Sequence, residues 1–518
     1  MFSLLGARLC ISLKQKNRGE GKVFYDMAIR FFNTMSRSLE EFHPIAETEV
    51  GKPCKVGLYT CGPTVHDFAH IGNFRTYVFE DILRRYLEYR GYEVTHVMNI
   101  TDVEDKTIRK ARVQQVPLSS ITDPFIEAFF TDLKSLNIEL ATHYPRATQH
   151  VDRMVAMIRD LIKKGYAYRS EDGSIYYDIS KFADYGKLAH IKVDELQSGA
   201  RVSQDEYEKG TAADFALWKA WDENDGDVYW DQYPDLGKGR PGWHIECSAM
   251  STEYLGNHFD IHTGGVDNIF PHHQNEIAQT EPCTGETFVN YWLHSEHLQV
   301  EGKKMSKSLG NFYKLRDLLD ASKNASGKAW SALAVRYLLL STHYRTRLDF
   351  TFSGLQTAQD TRDNLIAFAR RLTEQESDKD ISVELKQLVE ESRRKFIESM
   401  DNDLNTPEAL AVLFALRRDV NKAIDEEGDI GKEAAQIVLS LINEFDGVLA
   451  LDIVKEAQKS ICNEITDEEK ALIEARQQAR KERNFQRADC IRDQLLERGI
   501  ILEDTPKGLR WKIDPSKR

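Results

Sequence analysis

The sequence predicts an open α/β sheet in the first half of the chain, followed by a helical bundle and a small terminal module. Strand, helix and strand follow one another from Lys55 to Ile100, and about 45 residues is the length of one parallel crossover unit. After Phe350 the apolar residues recur at helical spacing instead. A chain of 518 residues has room for about three or four domains, so each part can have a core of its own.

Composition excludes several classes of protein. The chain is 41% hydrophobic and 29% charged, and no apolar run approaches the ~18 residues of a membrane span. This excludes a membrane transporter and predicts a soluble, globular protein. The 7 cysteines are too sparse for a disulfide scaffold and favour a reducing compartment. A net charge of -14 argues against a protein that coats nucleic acid, but it leaves room for a locally basic surface.

The two ends of the chain differ in charge from the rest. Residues 1–39 contain seven Lys or Arg against two acidic residues, with interspersed apolar residues, which fits either a presequence or an extension upstream of an internal start at Met27 or Met35. Residues 465–518 have a small positive excess in an otherwise acidic chain, so a polyanion is expected to bind there.

Each element of the predicted sheet has a local signal. The first strand is Lys55–Cys61, the second is Glu93–Ile100, and Gly91 ends the helix between them. That helix has one apolar face, formed by Val78, Ile82, Leu83, Tyr86 and Leu87. Open α/β sheets bind ligands beyond the carboxyl ends of their strands, so Cys61 and Thr101 are expected at a site.

The later elements are read in the same way. Residues 156–240 are rich in Tyr, Asp and Gly without sustained helical periodicity, and we interpret them as an insertion. In the bundle, Thr406 is predicted to cap a helix whose apolar positions are Leu410, Leu413, Leu416, Val420 and Ile424. One helix at about Asp467–Arg498 is expected to stop at Gly499, ahead of two short strands that flank residues 505–508.

The first motif that carries chemistry is His70-Ile71-Gly72-Asn73, just after the first strand and at the start of a helix. Free amides and the positive end of the helix dipole favour phosphate there, His70 can donate to phosphate oxygens, and Gly72 lets a nucleotide approach the backbone. Four residues also match by chance, and a surface histidine with ordinary partners is the alternative.

The second motif is the lysine loop, residues 303–311, with the sequence KKMSKSLGN. Lys304 and Lys307 can move onto a triphosphate and neutralise the charge that develops on leaving pyrophosphate. Alone, such a loop is usually a solvated turn. Together with His70-Ile71-Gly72-Asn73 at the head of an α/β domain, it resembles the two signature motifs of the class I aminoacyl-tRNA synthetases.

A third set of residues suggests a metal. Cys61, Cys247, His272 and Glu276 offer two thiolates, one imidazole and one carboxylate, which suits Zn²⁺, and a helix would place His272 and Glu276 on one face. Buried structural cysteines beside a helical surface pair are the alternative. The surrounding segments are CGPTVHD at 61–67, RPGWHIEC at 240–247 and FPHHQNE at 270–276. These segments closely resemble the cysteinyl-tRNA synthetases, and the resemblance extends from about Leu39 to Trp511.

The resemblance implies a Rossmann-like class I synthetase catalytic domain with an insertion, a helical bundle and a small anticodon-binding module. The implied parts are an N-terminal extension (1–38), the first catalytic half (39–155), the insertion (156–240), the second catalytic half (241–300), a linker region with the lysine loop (301–350), a tRNA-binding bundle (351–464) and the anticodon-binding module (465–518).

The resemblance also implies the site residues. Cys61, Cys247, His272 and Glu276 hold one zinc ion, to which the substrate thiol binds as a further ligand. The catalytic residues are His70, Asn73, Lys304 and Lys307. ATP, with Mg²⁺, contacts His70, Gly72, Asn73, Gly264, Gly265, Asp267 and Lys307, and the amino acid contacts Thr101 and Trp243. Asn73 replaces the second histidine of the commonest form of the motif, so it donates hydrogen bonds but carries no charge.

The implied activity is the ATP-dependent ligation of L-cysteine to tRNA(Cys) through cysteinyl-adenylate. For the tRNA we expect contacts from Arg510, Trp511 and a helix that presents Arg476, Arg480, Lys481, Arg483 and Arg487 along its length. A solvated arginine face and a core Trp511 are the alternatives. We expect a monomer in the cytoplasm, or in an organelle if residues 1–39 are a cleaved presequence.

Three rival functions are open at this point. Related ligases join activated cysteine to an amino sugar and lack an anticodon module, so residues 465–518 discriminate against them. A zinc hydrolase built on His272 and Glu276 leaves both nucleotide motifs unexplained. A non-catalytic RNA-binding module fits the acidic charge poorly and leaves Cys61 and Cys247 without a role.

Overall fold

The computed structural model describes residues 28–46, 52–191, 201–202, 214–459, 466–505 and 508–513. The chain divides into two compact units, Met1–Ile453 and Val454–Arg518, and each is described by itself. The predicted N-terminal extension lies outside the described residues as far as Met27. No helix in the described part of the chain is long and apolar enough to cross a membrane.

Sixteen strands and fifteen helices are assigned within the described residues. The strands are β1 Arg30–Asn33, β2 Ser38–Glu41, β3 Lys55–Thr60, β4 Glu93–Met98, β5 Ala167–Arg169, β6 Ile175–Tyr177, β7 Arg201–Val202, β8 Asp214–Ala220, β9 Gly239–Pro241, β10 Phe259–Gly265, β11 Val289–Ser295, β12 Leu298–Val300, β13 Lys303–Lys304, β14 Leu348–Phe350, β15 Ile500–Thr505 and β16 Gly508–Ile513. The helices are α1 Ile71–Tyr89, α2 Asp105–Gln114, α3 Leu118–Ser135, α4 Val151–Lys164, α5 Trp243–Leu255, α6 Gln274–Thr284, α7 Leu315–Leu319, α8 Ala332–Leu340, α9 Phe352–Thr373, α10 Val383–Asp401, α11 Thr406–Glu427, α12 Lys432–Leu449, α13 Ile453–Lys459, α14 Asp467–Lys481 and α15 Phe485–Glu497.

The central sheet of the first unit is parallel throughout, in the order β11-β10-β3-β4. Helix α1 connects β3 to β4, which is the predicted crossover, and its predicted apolar face is buried. Since the four strands run in the same direction, their carboxyl ends meet at one edge. Cys61, Gly264 and Ser295 lie at or just beyond these ends, and this edge positions the site.

The insertion is a second, smaller sheet, in which β5, β6 and β8 pair antiparallel and β9 adds to β8. The helix before it continues to Lys164, so a boundary at residue 156 falls inside α4. The reason is visible in the packing, because Met154, Val155, Ile158 and Leu161 form a buried stripe at helical spacing.

The helical region of the first unit contains α9 to α12, and the predicted apolar positions of α11 are all buried. The cap of α11 is Asn405 rather than Thr406, because the Asn405 side chain accepts the Glu408 N–H. The Thr406 hydroxyl instead donates to the Leu340 carbonyl at 2.8 Å.

A fully buried ion pair joins the crossover helix to this region. Arg336 of α8 donates to Asp81 of α1 at 2.5 Å, and neither side chain is exposed. The same guanidinium donates to the Leu449 carbonyl of α12 at 2.8 Å. The helix that begins at the predicted phosphate-binding motif is therefore tied to the bundle by buried hydrogen bonds.

The C-terminal unit has its own small core of Ile473, Ile491, Leu495, Ile500 and Leu502. The expectation of one helix over 467–498 is wrong, because α14 and α15 are separated by a turn in which Arg483 has φ +59°. Strands β15 and β16 form the predicted hairpin, and Pro506 and Lys507 lie outside the described residues.

The break between the two helices corrects the expected row of cations. Arg476 is buried, and the remaining four positions are divided between α14, the turn and α15. Trp511 is 49% exposed, so it does not belong to the core. The side chain of Arg510 lies outside the described part of the chain.

Candidate active site

One cavity of about 820 Å³ opens at the carboxyl edge of the parallel sheet. Most of the predicted site residues line it: Cys61, His70, Gly72, Asn73, Trp243, Gly265, Asp267 and Lys304. Cys247, His272 and Glu276 are buried against the same edge, and Thr101 is buried at the end of β4. Lys307 is different, because its side chain is 65% exposed and paired with Asp67.

His70 and Asn73 cap each other at the start of α1. The His70 Nδ1 atom accepts the Asn73 backbone N–H at 3.1 Å, and the Asn73 Oδ1 atom accepts the His70 backbone N–H at 3.1 Å. A neutral imidazole that accepts at Nδ1 carries its proton on Nε2. Burial lowers the pKa of His70 to about 4, so the ring is a neutral hydrogen-bond donor near pH 7.

Two glycines of the predicted nucleotide region stand where a side chain would be crowded. A Cβ at position 72 would lie 3.0 Å from the His70 ring and 3.2 Å from the Met305 Cε atom of the lysine loop. A Cβ at position 264 would lie 2.9 Å from the His273 ring. Glycine at position 72 therefore lets the lysine loop approach the start of α1.

The predicted metal ligands come from four different segments. Cys61 follows β3, Cys247 lies in α5, His272 lies in the π-helical turn Ile269–His273, and Glu276 lies in the first turn of α6. Each of the four residues contributes one donor atom, and these four atoms all lie within 4.8 Å of one another. The turn runs directly into α6, so His272 lies one helical turn before Glu276, and its Nε2 atom reaches Glu276 Oε1 at 3.1 Å.

The electrostatics of this cluster suit a cation. Burial raises the pKa of the Cys61 thiol, but hydrogen bonds with Cys247 and His272 outweigh it and lower the pKa. The hydrogen bond with Cys61, together with burial, raises the pKa of Cys247. A bound metal would displace the protons of both sulfurs, because thiolates are the ligating form.

The Glu276 carboxylate is a second feature of this cluster that suits a cation. Glu276 Oε1 accepts no hydrogen bond within the described residues, and the side chain is fully buried. Glu276 Oε2 pairs with His262 Nε2 at 2.9 Å, and a cation bound at this position would also compensate the buried Oε1 atom. Two sulfurs, one nitrogen and one oxygen fit Zn²⁺ by donor type, so the residues present suit the predicted ion.

A second donor set overlaps the first and was missed by sequence reasoning. It keeps Cys61 and Glu276 but replaces the other two ligands by His262 and His273. His262 Nε2 lies 2.9 Å from Glu276 Oε2, and His273 Nε2 lies 3.2 Å from Cys61 Sγ. His273 is adjacent to His272 in the sequence, but nothing local indicates that the chain brings His262 beside it.

The predicted amino-acid contacts have different surroundings. Trp243 lines the cavity, and its ring stacks on His272 with 4.2 Å between centroids. The Thr101 hydroxyl donates to Glu246 at 2.9 Å and is buried. His244, another residue missed from the sequence, hydrogen-bonds through Nδ1 to His272 Nδ1 at 2.9 Å, which directs His272 Nε2 toward Cys61 and Glu276.

Comparison with known families identifies three matching segments. The model "tRNA synthetases class I (C) catalytic domain" matches residues 47–360. The DALR domain matches residues 395–453, and "Cysteinyl-tRNA ligase anticodon binding domain" matches residues 463–511.

Curated relatives match over nearly their whole length. Cysteine--tRNA ligase of Brachyspira hyodysenteriae is 50% identical, with 93% of this chain and 99% of that protein covered. The protein of the same name from Chlamydia trachomatis serovar A is 46% identical, with 94% and 100% covered. Methionyl-tRNA synthetase of Mycobacterium tuberculosis, solved with methionyl-adenylate, has a TM-score of 0.56 at 16% identity, with 78% of this chain and 90% of that one covered, and it shows the fold alone.

Proposed function

The chain belongs to the cysteine–tRNA ligases, class I aminoacyl-tRNA synthetases that join cysteine to tRNA, and on this premise we propose how its residues do so. The reaction proceeds through cysteinyl-adenylate. The carboxylate of cysteine attacks the α-phosphorus of ATP in line, pyrophosphate leaves, and a ribose hydroxyl of the tRNA then attacks the adenylate carbonyl and releases AMP.

His70, Asn73, Lys304 and Lys307 stabilise the phosphates during the first step. Support comes from the position of His70 at the N-terminus of α1, in the lining of a cavity that Asn73 and Lys304 also line. The Asn73 amide group adds a neutral donor. Gly72, Gly264, Gly265 and Asp267 bind the adenosine, and ATP enters with Mg²⁺. Positioning and fixed charges supply the acceleration, so no general base is required.

Cys61, Cys247, His272 and Glu276 hold the zinc ion that selects cysteine. When bound, Zn²⁺ would supply a Lewis acid that favours the thiolate form of a coordinating sulfur. The hydroxyl of serine ionises far less readily, so serine lacks an equivalent interaction. One methylene in an apolar pocket discriminates by only ~1–3 kcal/mol, whereas loss of a metal–sulfur bond costs more. Trp243 forms part of the side-chain pocket, and Thr101 lies near the polar end of the amino acid.

The acceptor is tRNA rather than an amino sugar. The match of residues 463–511 to the anticodon-binding family supports this choice. We propose the cytoplasm as the compartment. Cys54, Cys283 and Cys490 are free thiols, and a reducing environment keeps cysteines in this form.

One observation carries the proposal: four donor atoms of the predicted types fall within 4.8 Å beneath the cavity that His70 and the lysine loop border. The test is ATP–pyrophosphate exchange measured with each of the twenty amino acids, with and without a chelator. We expect pyrophosphate exchange with cysteine and with no other amino acid. We expect the chelator to abolish this exchange. Exchange that persists after measured removal of zinc, with selectivity unchanged, would contradict the zinc assignment.

A further inference from the structure

Asp67 binds two lysines from the segment that contains and follows the lysine loop. Lys307 Nζ lies 2.6 Å from Asp67 Oδ2, and Lys314 Nζ lies 3.0 Å from Asp67 Oδ1. Asp67 precedes His70 by three positions, so this contact joins the lysine loop to the segment that carries the phosphate-binding motif. The two lysines are not equivalent, because the Lys307 side chain is 65% exposed and that of Lys314 is 26% exposed.

The backbone around Lys314 is fixed to the start of α1. The Ile71 N–H donates to the Tyr313 carbonyl at 3.0 Å, and Lys314 forms an isolated antiparallel β-bridge with His70. Lys307 instead begins a short exposed turn, Lys307–Leu309, which ends at Gly310 with φ +67°. Lys314 is thus the less exposed and more firmly held partner of Asp67, and Lys307 is the more exposed one.

We propose that Asp67 is a positioning residue that holds Lys307 beside the phosphate-binding motif until ATP arrives and takes this lysine from it. The inference rests on the proposed role of Lys307 at the triphosphate. Departure of Lys307 leaves Asp67 paired with Lys314, so no carboxylate is stranded. The triphosphate, with more negative charge than one carboxylate, competes for the same ammonium group.

Two further observations fit the transfer of Lys307 from Asp67 to the triphosphate. Partial burial raises the pKa of Asp67, but hydrogen bonds from Lys307 and Lys314 outweigh it and hold the pKa well below its usual range, so the anion persists. Lys307 Nζ also lies 5.2 Å from the Phe312 ring centroid, and that ring packs edge-on against His70 at 5.0 Å. The waiting position of Lys307 is therefore next to the residue with which it is proposed to act.

The resting contact is tested by amine labelling of the full chain without ATP. Asp67→Asn should raise the labelling rate of Lys307, read by mass spectrometry, about two- to fivefold, which is the range expected for a partly exposed ion pair. Lys304, in the same loop, is the internal reference and should not change. Glu301→Gln removes an exposed carboxylate from the base of the loop and should leave Lys307 labelling unaltered. An unchanged Lys307 rate in Asp67→Asn would overturn the proposal.

The competition is tested by equilibrium binding of a non-hydrolysable ATP analogue. Asp67→Asn should lower the dissociation constant about two- to fivefold in the wild-type background and leave it unchanged in a Lys307→Ala background. An equal change in both backgrounds would overturn the proposal, because Asp67 would then act without Lys307. Neither measurement needs catalysis, so cysteine-dependent pyrophosphate exchange reports a failure of the proposed function separately.

Discussion

The Nδ1 atom of His70 accepts the backbone N–H of Asn73 at 3.1 Å, and this bond fixes which ring nitrogen can serve the substrate. The proton is left on Nε2. Asn73 cannot replace a second charged histidine, but its side chain accepts the His70 N–H and so holds the turn in which both residues lie. The motif presents a neutral donor rather than a cation.

We expect adenylate formation to show no titration of His70 between pH 6 and 8. Burial lowers the pKa of His70 to about 4, against about 6.5 for a free histidine. As the pH falls, the imidazole of His70 is therefore protonated in the unfolded chain before it is protonated in the folded chain. The contribution of His70 to stability is present above about pH 6.5 and is lost as the pH falls toward 4. Pre-steady-state rates of wild type and His70→Gln should have parallel pH profiles. An inflection near pH 6.5 that disappears in His70→Gln would contradict this.

Cys247→Ser should remove both the bound zinc and cysteine-dependent pyrophosphate exchange. Cys247 is buried beside Cys61, and serine does not supply the thiolate on which a soft cation depends. The matched control is Cys283→Ser, a free cysteine outside both donor sets, which should keep metal and exchange. Metal content is measured by mass spectrometry. Retention of zinc in Cys247→Ser with its loss in His273→Asn would assign the ion to the second donor set.

Part of this architecture follows from sequence, and part depends on long-range packing. Strand β3, helix α1 and strand β4 have local signals and lie within a residue or two of the expected bounds. The break at Arg483 lacks a glycine or proline to mark it, so α14 and α15 appeared as one helix. His262 approaches Glu276 only because β10 and α6 meet in space, and no periodicity reports that contact.

Lys307→Ala should slow adenylate formation by about 10²-fold, the effect of removing one charge-stabilising group. The dissociation constant for tRNA should change by less than about twofold, because exposed single charges contribute little to a large interface. Single-turnover quench-flow measures the first quantity, and filter binding measures the second. Lys303→Ala, in the same loop and also exposed, is the control. An unchanged single-turnover rate would remove Lys307 from the reaction.

Asp81→Ala should lower the free energy of unfolding by about 3–5 kcal/mol, because it leaves the guanidinium of Arg336 buried without its counter-charge. Urea titration followed by far-UV circular dichroism measures the change. The comparison is Arg394→Ala, which breaks exposed pairs with Glu391 and Glu398 and should leave the midpoint nearly unchanged. A similar small shift for both variants would mean that the buried pair adds no stability.

Deletion of residues 465–518 should spare the first step and impair the second. These residues include α14, α15 and the β15–β16 hairpin, which have a core of their own, whereas His70, Lys304 and the four predicted metal ligands lie in the other compact unit. Cysteine-dependent pyrophosphate exchange should therefore stay within about twofold of wild type. Transfer of cysteine to tRNA should fall at limiting tRNA and recover in part at high tRNA, because lost binding surface raises KM. Equal loss of both steps would mean that the terminal unit supports the catalytic domain rather than tRNA binding.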